Sequence, residues 1–300
     1  MTMWNPTGIW PPFMDVPRTL RPGDGPYPGL LAQIPDRPAL LRVRGDLRGE
    51  VRRAAVVGSR ATDQYGEDMA REIAAGLAAA GVSVVSGGAK GIDGVAHLAA
   101  LDAGGHTVAV LGTGVDVPYP PQHRELFARM LEAGGALVSE QPDGTQGLPR
   151  NFPARNRIIS GLCELVVVVR ARAESGALIT ASWARSQGRT VLAVPGDARD
   201  ELSAGTHALI RGGARLVASV AEVLAEMGLA QARAQRPLPA LSCEGSAILA
   251  ALSRKPRHAG EVAREAGLPV SEALAGLLSL ELEGLCEQRP GHYFLRREGT

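Results

Sequence analysis

Between residues 54 and 194, short β-branched apolar runs alternate with stretches of helical periodicity, and that alternation leaves few folds open. The runs are Ala54–Gly58, Val82–Ser86, Thr107–Leu111, Ala136–Ser139, Leu165–Val169 and Thr190–Val194. The helical stretches between them are Gly66–Ala80, Ile92–Ala103, Gln122–Ala133, Ala154–Cys163 and Ala177–Gln187. Strands this uniformly apolar need cover on both faces, which a parallel sheet between two helix layers provides. A helix–strand–helix tail at about Thr206–Met227 completes the domain. The expected class is α/β, with a parallel sheet and helices on both faces.

The flanks differ in character. Residues 1–50 read as an irregular N-terminal segment, because closely spaced Pro and Gly break any period over Met1–Pro28; Trp4, Trp10 and Phe13 are its candidate anchors. The sheet domain spans 51–228. Residues 229–240, with Gln231, Arg233, Gln235, Pro237 and Pro239, read as a linker. In 241–300, three short helical patterns (Gly245–Leu252, Gly260–Ala266, Ser271–Glu283) precede a turn and strand at Arg289–Leu295, the order of a small winged-helix-like domain.

In an open parallel sheet, ligands collect beyond the carboxyl ends of the strands. Those ends are rich in glycine and small polar residues here. They carry Gly58-Ser59-Arg60, Gly87-Gly88-Ala89-Lys90-Gly91, Gly112-Thr113-Gly114, Glu174-Ser175-Gly176 with Thr180, and Pro195-Gly196. Glycines admit a ligand to the backbone, and the N–H groups at the following helix starts attract anions. Ser175 is a candidate N-cap aimed at a phosphate.

The nature of the anion is narrowed by what is missing. No G-x-G-x-x-G follows the first strand and no acid ends the second, which argues against a dinucleotide cofactor. No Walker G-x-x-x-x-G-K-[ST] occurs, and the histidines have no metal-ligand spacing. No cofactor and no metal are expected. Asp93 and His97, four apart on one helix, read first as local helix support rather than as an acid–base pair. Tyr119, between Pro118 and Pro120, reads as a loop-shaping residue.

Asn151–Leu162 points to a nucleic-acid chain. Arg150, Arg155 and Arg157 offer phosphate contacts, Phe152 a stacking face and Asn156 a hydrogen-bonding amide, while Arg60 and Arg172 extend a positive track. Stacking on an aromatic requires unpaired bases, so a single strand is the better ligand. The same residues also suit a structural role, with Phe152 in the core and the arginines paired to Glu140 and Glu164. The formal charge of +1 supplies no global basic field, so any such site is local. The cysteines, Cys163, Cys243 and Cys286, are odd in number and far apart, which suits a reducing compartment. No signal peptide and no membrane-length apolar run is evident, and a cytoplasmic protein is expected.

Several of these motifs together resemble the bacterial DNA-processing protein A (DprA, or Smf) family. They are Val57-Gly58-Ser59-Arg60, Ser86-Gly87-Gly88-Ala89 with Gly91-Ile92-Asp93 and Ala96-His97, and Leu111-Gly112-Thr113-Gly114 with Asp116 and Tyr119-Pro120. Ser139-Glu140, Phe152-Pro153-Ala154-Arg155-Asn156-Arg157-Ile158-Ile159, Ser175-Gly176-Ala177-Leu178-Ile179-Thr180-Ala181 and Val194-Pro195-Gly196 follow in order. The resemblance implies an extended Rossmann-like fold that binds single-stranded DNA and loads the RecA recombinase in natural transformation, without turnover chemistry. It implies a strand site at Arg60, Arg150 and Phe152, with the basic residue before Ser-Gly falling nearest Arg172. It also implies a homodimer through about His207–Leu216, with Ile210 and Leu216 as the apolar candidates. The chain departs from the family pattern at Arg170, where an acid is usual, and at Gly205-Thr206-His207, and residues 1–28 are too short for the N-terminal helical domain of some members.

A nucleotide phosphoribohydrolase on a related sheet is the alternative. It needs a Pro-Gly-Gly-x-Gly-Thr-x-x-Glu loop, and the corresponding region reads Glu174-Ser-Gly-Ala-Leu-Ile-Thr-Ala181. In the C-terminal module, Ser271–Glu283 stands where a recognition helix would. It carries Glu272, Glu281 and Glu283 and no basic residue, which favours a protein-facing or accessory role over duplex reading.

Overall fold

A computed structural model describes residues 17–49, 51–229, 242–253 and 255–296. The chain divides into two compact units, Met1–Gln231 and Ala232–Thr300.

In the first unit the elements follow the order β1 (Arg18–Leu20), α1 (Gly29–Ala32), β2 (Leu41–Gly45), β3 (Arg53–Val57), α2 (Gln64–Ala79), β4 (Ser83–Ser86), α3 (Ile92–Asp102) and β5 (Thr107–Val110). They continue with α4 (Arg124–Glu132), β6 (Ala136–Ser139), α5 (Asn151–Gly161), β7 (Leu165–Val168), α6 (Gly176–Ser186), β8 (Thr190–Ala193), α7 (Ala204–Arg211), β9 (Arg215–Leu216) and α8 (Val220–Glu226). One nine-stranded sheet has the order β1-β2-β6-β5-β4-β3-β7-β8-β9. From β6 to β9 every pairing is parallel.

Alternate residues on each strand feed opposite layers, as a doubly covered sheet requires. On β3, Ala55 and Val57 pack with Ile158, Ile159 and Ala181, from the layer of α5 and α6. Ala54 and Val56 pack with Ile73, Leu77 and Ala96, from α2 and α3. A smaller cluster, with Phe127, Met130 and Leu137, seats α4 on β5 and β6.

The N-terminal flank departs from expectation. Residues 18–45 are not irregular: β1 and β2 extend the sheet antiparallel beyond β6, making it mixed. Leu41 and Val43 alternate with arginines and point into the core beside Tyr27, Leu31 and Ile34. Apolar residues at alternate positions put one face of the strand in the core, and the surrounding prolines mask the pattern. Trp4, Trp10 and Phe13 lie outside the described residues, as does nearly all of the linker 229–240.

The second unit contains α9 (Cys243–Ala251), β10 (Arg257–His258), α10 (Ala259–Ala266), α11 (Val270–Leu282), β11 (Cys286–Arg289) and β12 (Tyr293–Arg296). Its antiparallel sheet has the order β10-β12-β11, which makes three helices and a wing. Ile248, Leu252, Val262, Leu277, Leu280 and Phe294 form its own core. The helix α10 ends at Gly267, whose φ of 69° is the left-handed cap that glycine adopts without strain.

Candidate functional site

The strand order reverses between β3 and β7. From β3 the chain winds one way through β4, β5 and β6, and from β7 it winds the other way. At such a switch point the loops beyond the two strands diverge and leave a crevice. One of about 860 Å³ opens here. Gly58, Ser59 and Arg60 line it from the end of β3, Phe152, Arg155 and Asn156 from α5, and Arg172, Ser175, Gly176 and Thr180 from the end of β7 and the start of α6. Lys90 and Arg150 are exposed but are not among its lining residues.

The turn that carries Arg60 is rigid. Ser59 N donates to Arg170 O at 2.7 Å, and Ile92 N donates to Ser59 O at 3.2 Å. Gly58 sits so close to α3 that a β-carbon would lie 2.6 Å from Ile92 Cγ1 and 2.9 Å from Arg170 O. Arg60 itself is exposed, with its guanidinium carbon 5.8 Å from the centroid of the Phe152 ring. The other exposed guanidinium in the crevice is Arg172. It meets Glu201 at 3.6 Å, with side chains 60% and 84% exposed, a contact that contributes little.

Arg170, the departure from the family pattern, does not add to the crevice charge. It is buried and pairs with Asp63 and Asp200, and it donates to Ser203 Oγ. The hydrogen bond from Arg170 holds the Asp63 carboxyl below its usual range. Asp63 also caps α2 by accepting from Gly66 N, so one arginine ties the α2 start to the loop after β8. Asp200 is held low by its bond from Leu202 N and by Arg170.

The arginines of α5 divide by function. Arg155, expected to contact phosphate, lines the crevice but makes many bonds within the protein. Its side chain is 5% exposed and is committed to backbone carbonyls of Gly87 and Val110 and to Asn156 Oδ1. Cut off from water, its guanidinium is pushed down to about 10, and the neighbouring Asp93 carboxyl is pushed up by the same burial. Asp93 accepts from Gly87 N and Ala89 N, so the pair fixes the glycine turn after β4 from both sides. Arg157 is also occupied, by a two-pronged pair with Glu140 at 2.8 and 2.6 Å and by Asp36. Arg52, not one of the α5 arginines, is the partner of Glu164.

The rest of α5 begins earlier than periodicity suggests, at Asn151 rather than Ala154, because Pro153 is tolerated in a first turn where its missing N–H is not needed. Asn151 Nδ2 donates to Gly112 O and Asn156 Nδ2 to Gly176 O, so both amides tie α5 to neighbouring backbone. Ser175 caps α6, its hydroxyl accepting from Ala177 N at 3.3 Å. A β-carbon on Gly176 would meet nothing within 4 Å, so the helix start opens into free space. Thr180 is buried, one turn beneath.

Asp93 and His97 do not pair. His97 Nδ1 lies 2.7 Å from Thr107 Oγ1, and burial holds the imidazole low, at about 3, so it is neutral. Two further residues, neither a strand-contact candidate from the sequence, line the crevice. Glu174 is one, and Tyr119, which packs against Phe152 with centroids 5.2 Å apart and planes tilted by 40°, is the other. The prolines around Tyr119 advertised a loop and concealed where its ring would land.

Of the dimer candidates, Leu216 is 52% exposed on the edge strand β9. Ile210 is half-buried against the core, and His207 Nε2 lies 3.2 Å from Gly196 O. Among the described residues no cluster of His, Cys, Asp and Glu is placed to hold a metal, and no helix is long and apolar enough to cross a membrane.

Residues 18–228 match the family of DNA recombination-mediator protein A. The chain belongs to that family, whose members are also called DprA or Smf. Residues 232–292 match the DprA winged helix domain. The chain is 43% identical over 256 residues to a putative DNA processing protein DprA of Mycobacterium tuberculosis, covering 83% of this chain and 66% of that one. It is 42% identical over 289 residues to protein Smf of Escherichia coli, covering 90% and 75%. The X-ray structure of DprA from Streptococcus pneumoniae superposes with a TM-score of 0.66 at 45% identity, covering 70% of this chain and 74% of that one. A DNA processing protein A from Helicobacter pylori, solved for its single-stranded DNA binding mode, shares the fold with a TM-score of 0.63 at 23% identity, covering 70% and 95%.

Proposed function

We propose that this protein binds single-stranded DNA in the switch-point crevice and passes it to a RecA-type recombinase, protecting incoming DNA during natural transformation. The observation that carries the reading is the convergence of two exposed guanidinium groups, Arg60 and Arg172, with an aromatic pair and the open α6 helix start in one crevice. Guanidinium groups and a helix N-terminus suit phosphates, and ring faces suit unpaired bases. Membership of a recombination-mediator family and the single-strand binding of the Helicobacter relative point the same way.

In this reading the protein is a non-enzymatic, cytoplasmic homodimer. Self-association runs through the β9 edge, where Leu216 is exposed and one side of the strand lacks a neighbour in the sheet among the described residues. The C-terminal domain does not read duplex, since α11 carries Glu272 and Glu281 with no Lys or Arg.

Competition binding tests the proposal. A labelled oligo-dT is displaced by unlabelled single strand and weakly by duplex of the same length. Equal displacement by duplex contradicts it. Incubation with nucleoside monophosphates is expected to release no free base; release favours the phosphoribohydrolase alternative.

A further inference from the structure

In the second unit, α11 stands where a winged helix reads duplex, yet its outer face is apolar. Ala273, Leu277 and Leu280 are buried and fix which side of the helix meets the rest of the unit. Away from that side, Leu274, Leu278 and Leu282 recur every four residues and climb out of the core. Leu274 is half-buried, Leu278 is 50% exposed and Leu282 is 90% exposed. One exposed leucine is ordinary, but a strip along one helix marks a surface that a partner covers.

A groove of about 380 Å³ between α9 and α11 borders this strip. Gly245 and Ile248 line it from α9, and Ala275, Gly276 and Ser279 from α11. The helices are close here, since a β-carbon on Gly276 would lie 2.3 Å from Ile248 Cδ1. Ala275 and Ser279 stand three residues before Leu278 and Leu282, so strip and groove form one continuous surface. Side chains this small let another helix approach closely. The remaining lining is acidic: Glu244, Glu272 and Glu283, with no Lys or Arg. All three carboxylates are exposed, and none forms an ion pair among the described residues. The ion pairs of this unit belong to Arg257 and Arg289 instead.

We propose that the α9–α11 face docks a cationic amphipathic helix of a partner protein. Its apolar side covers Leu278 and Leu282, and its Lys or Arg residues meet Glu244, Glu272 and Glu283. Charge complementarity selects this occupant. A nucleic acid would bring phosphates against three carboxylates. A second copy of the same face, in a two-fold contact, would set carboxylates against carboxylates. Single-strand binding in the crevice is not required for this docking.

The probe is a synthetic leucine–lysine peptide of about five helical turns, with its leucines on one face, set against a scrambled peptide of the same composition. In anisotropy with the 300-residue chain, the amphipathic peptide is expected to bind about ten-fold tighter than the scrambled one. The double variant Leu278→Ser/Leu282→Ser is expected to abolish that advantage. Glu272→Gln/Glu283→Gln is expected to weaken both peptides about three-fold or more. Glu272→Lys/Glu283→Lys is expected to reverse the preference, favouring a leucine–glutamate peptide over the lysine one. This charge exchange decides the matter even where the serine variant fails to fold.

Hydrogen exchange locates the contact, with peptide-dependent protection expected over residues 270–283. Equal binding of amphipathic and scrambled peptides, an unreversed preference in the lysine variant, or protection confined to other segments overturns the proposal. Oligo-dT and duplex affinities are expected to be unchanged in Leu278→Ser/Leu282→Ser; a loss of either assigns the face to nucleic acid and overturns it too. Self-association of the wild type that this variant abolishes assigns the face to a second copy, with the same consequence. None of these outcomes bears on the crevice, whose failure shows separately as absent oligo-dT binding by the wild type.

Discussion

Arg60→Ala is the substitution whose consequence follows most directly from the crevice. Arg60 is exposed, stands on a turn pinned by Arg170 O and Ile92 N, and is backed by the Phe152 ring. Its removal is expected to cost the fold little, since the turn is held by backbone hydrogen bonds rather than by the Arg60 side chain. For a single strand, each phosphate neutralised contributes about 0.7 to the slope of log affinity against log salt, so Arg60 and Arg172 together give ~1.4 per protomer. Raising salt from about 50 to about 200 mM then weakens wild-type binding ~7-fold and Arg60→Ala binding only ~2.6-fold. At the lower salt, loss of one charge-assisted contact costs about 1.5–3 kcal/mol, a drop of about ten-fold or more. Fluorescence anisotropy of a labelled oligo-dT across a salt series measures both quantities. A variant that keeps the wild-type slope, or loses affinity with no change in slope, refutes the assignment of Arg60 to a phosphate.

The other substitutions separate crevice from scaffold. Arg157→Ala is expected to leave oligonucleotide affinity unchanged while lowering unfolding free energy by about 1–3 kcal/mol in urea titration, because its bonds to Glu140 are structural. Arg150→Ala and Lys90→Ala, outside the lining, are expected to change affinity less than Arg60→Ala does in the same anisotropy assay. Gly58→Ala drives a methyl group against Ile92 and Arg170 O and is expected to cost about 1–3 kcal/mol, read as a lowered melting temperature. The folded-state pKa values of Asp63 and Asp200 are depressed, so the stability they contribute is complete above the unpaired value of 3.8 and is lost as pH falls through their lower folded values. Arg170→Met is expected to remove that component of acid sensitivity in melts recorded against pH, and to be destabilised at neutral pH where two carboxylates face no cation.

The doubly covered sheet was legible because period and composition report burial directly. Leu165–Val168, for example, is apolar on both faces and lies between two helix layers. The crevice was legible for a related reason, since Gly58 and Gly176 mark where backbone must pass close to a neighbour or leave space for a ligand. The strand β2 escaped notice because its alternation of leucine, valine and arginine is only five residues long among prolines. The roles of the arginines were not legible. Arg60, Arg155, Arg157 and Arg170 are chemically identical in a sequence, yet one faces the crevice, one props up a glycine turn, one binds Glu140 and one bridges two aspartates. That difference is set by partners distant along the chain, such as Val110 for Arg155 and Asp200 for Arg170. The contact between Tyr119 and Phe152 was hidden for the same reason, its partner being supplied by a different part of the chain.

Hydrogen–deuterium exchange of the 300-residue chain with and without saturating oligo-dT tests the central claim, that the strand lies in the crevice between the ends of β3 and β7. Protection is expected over residues 58–61, 147–156 and 172–180, the segments that line it. Protection confined to residues 257–296 of the winged-helix unit, with those segments unchanged, would contradict the account.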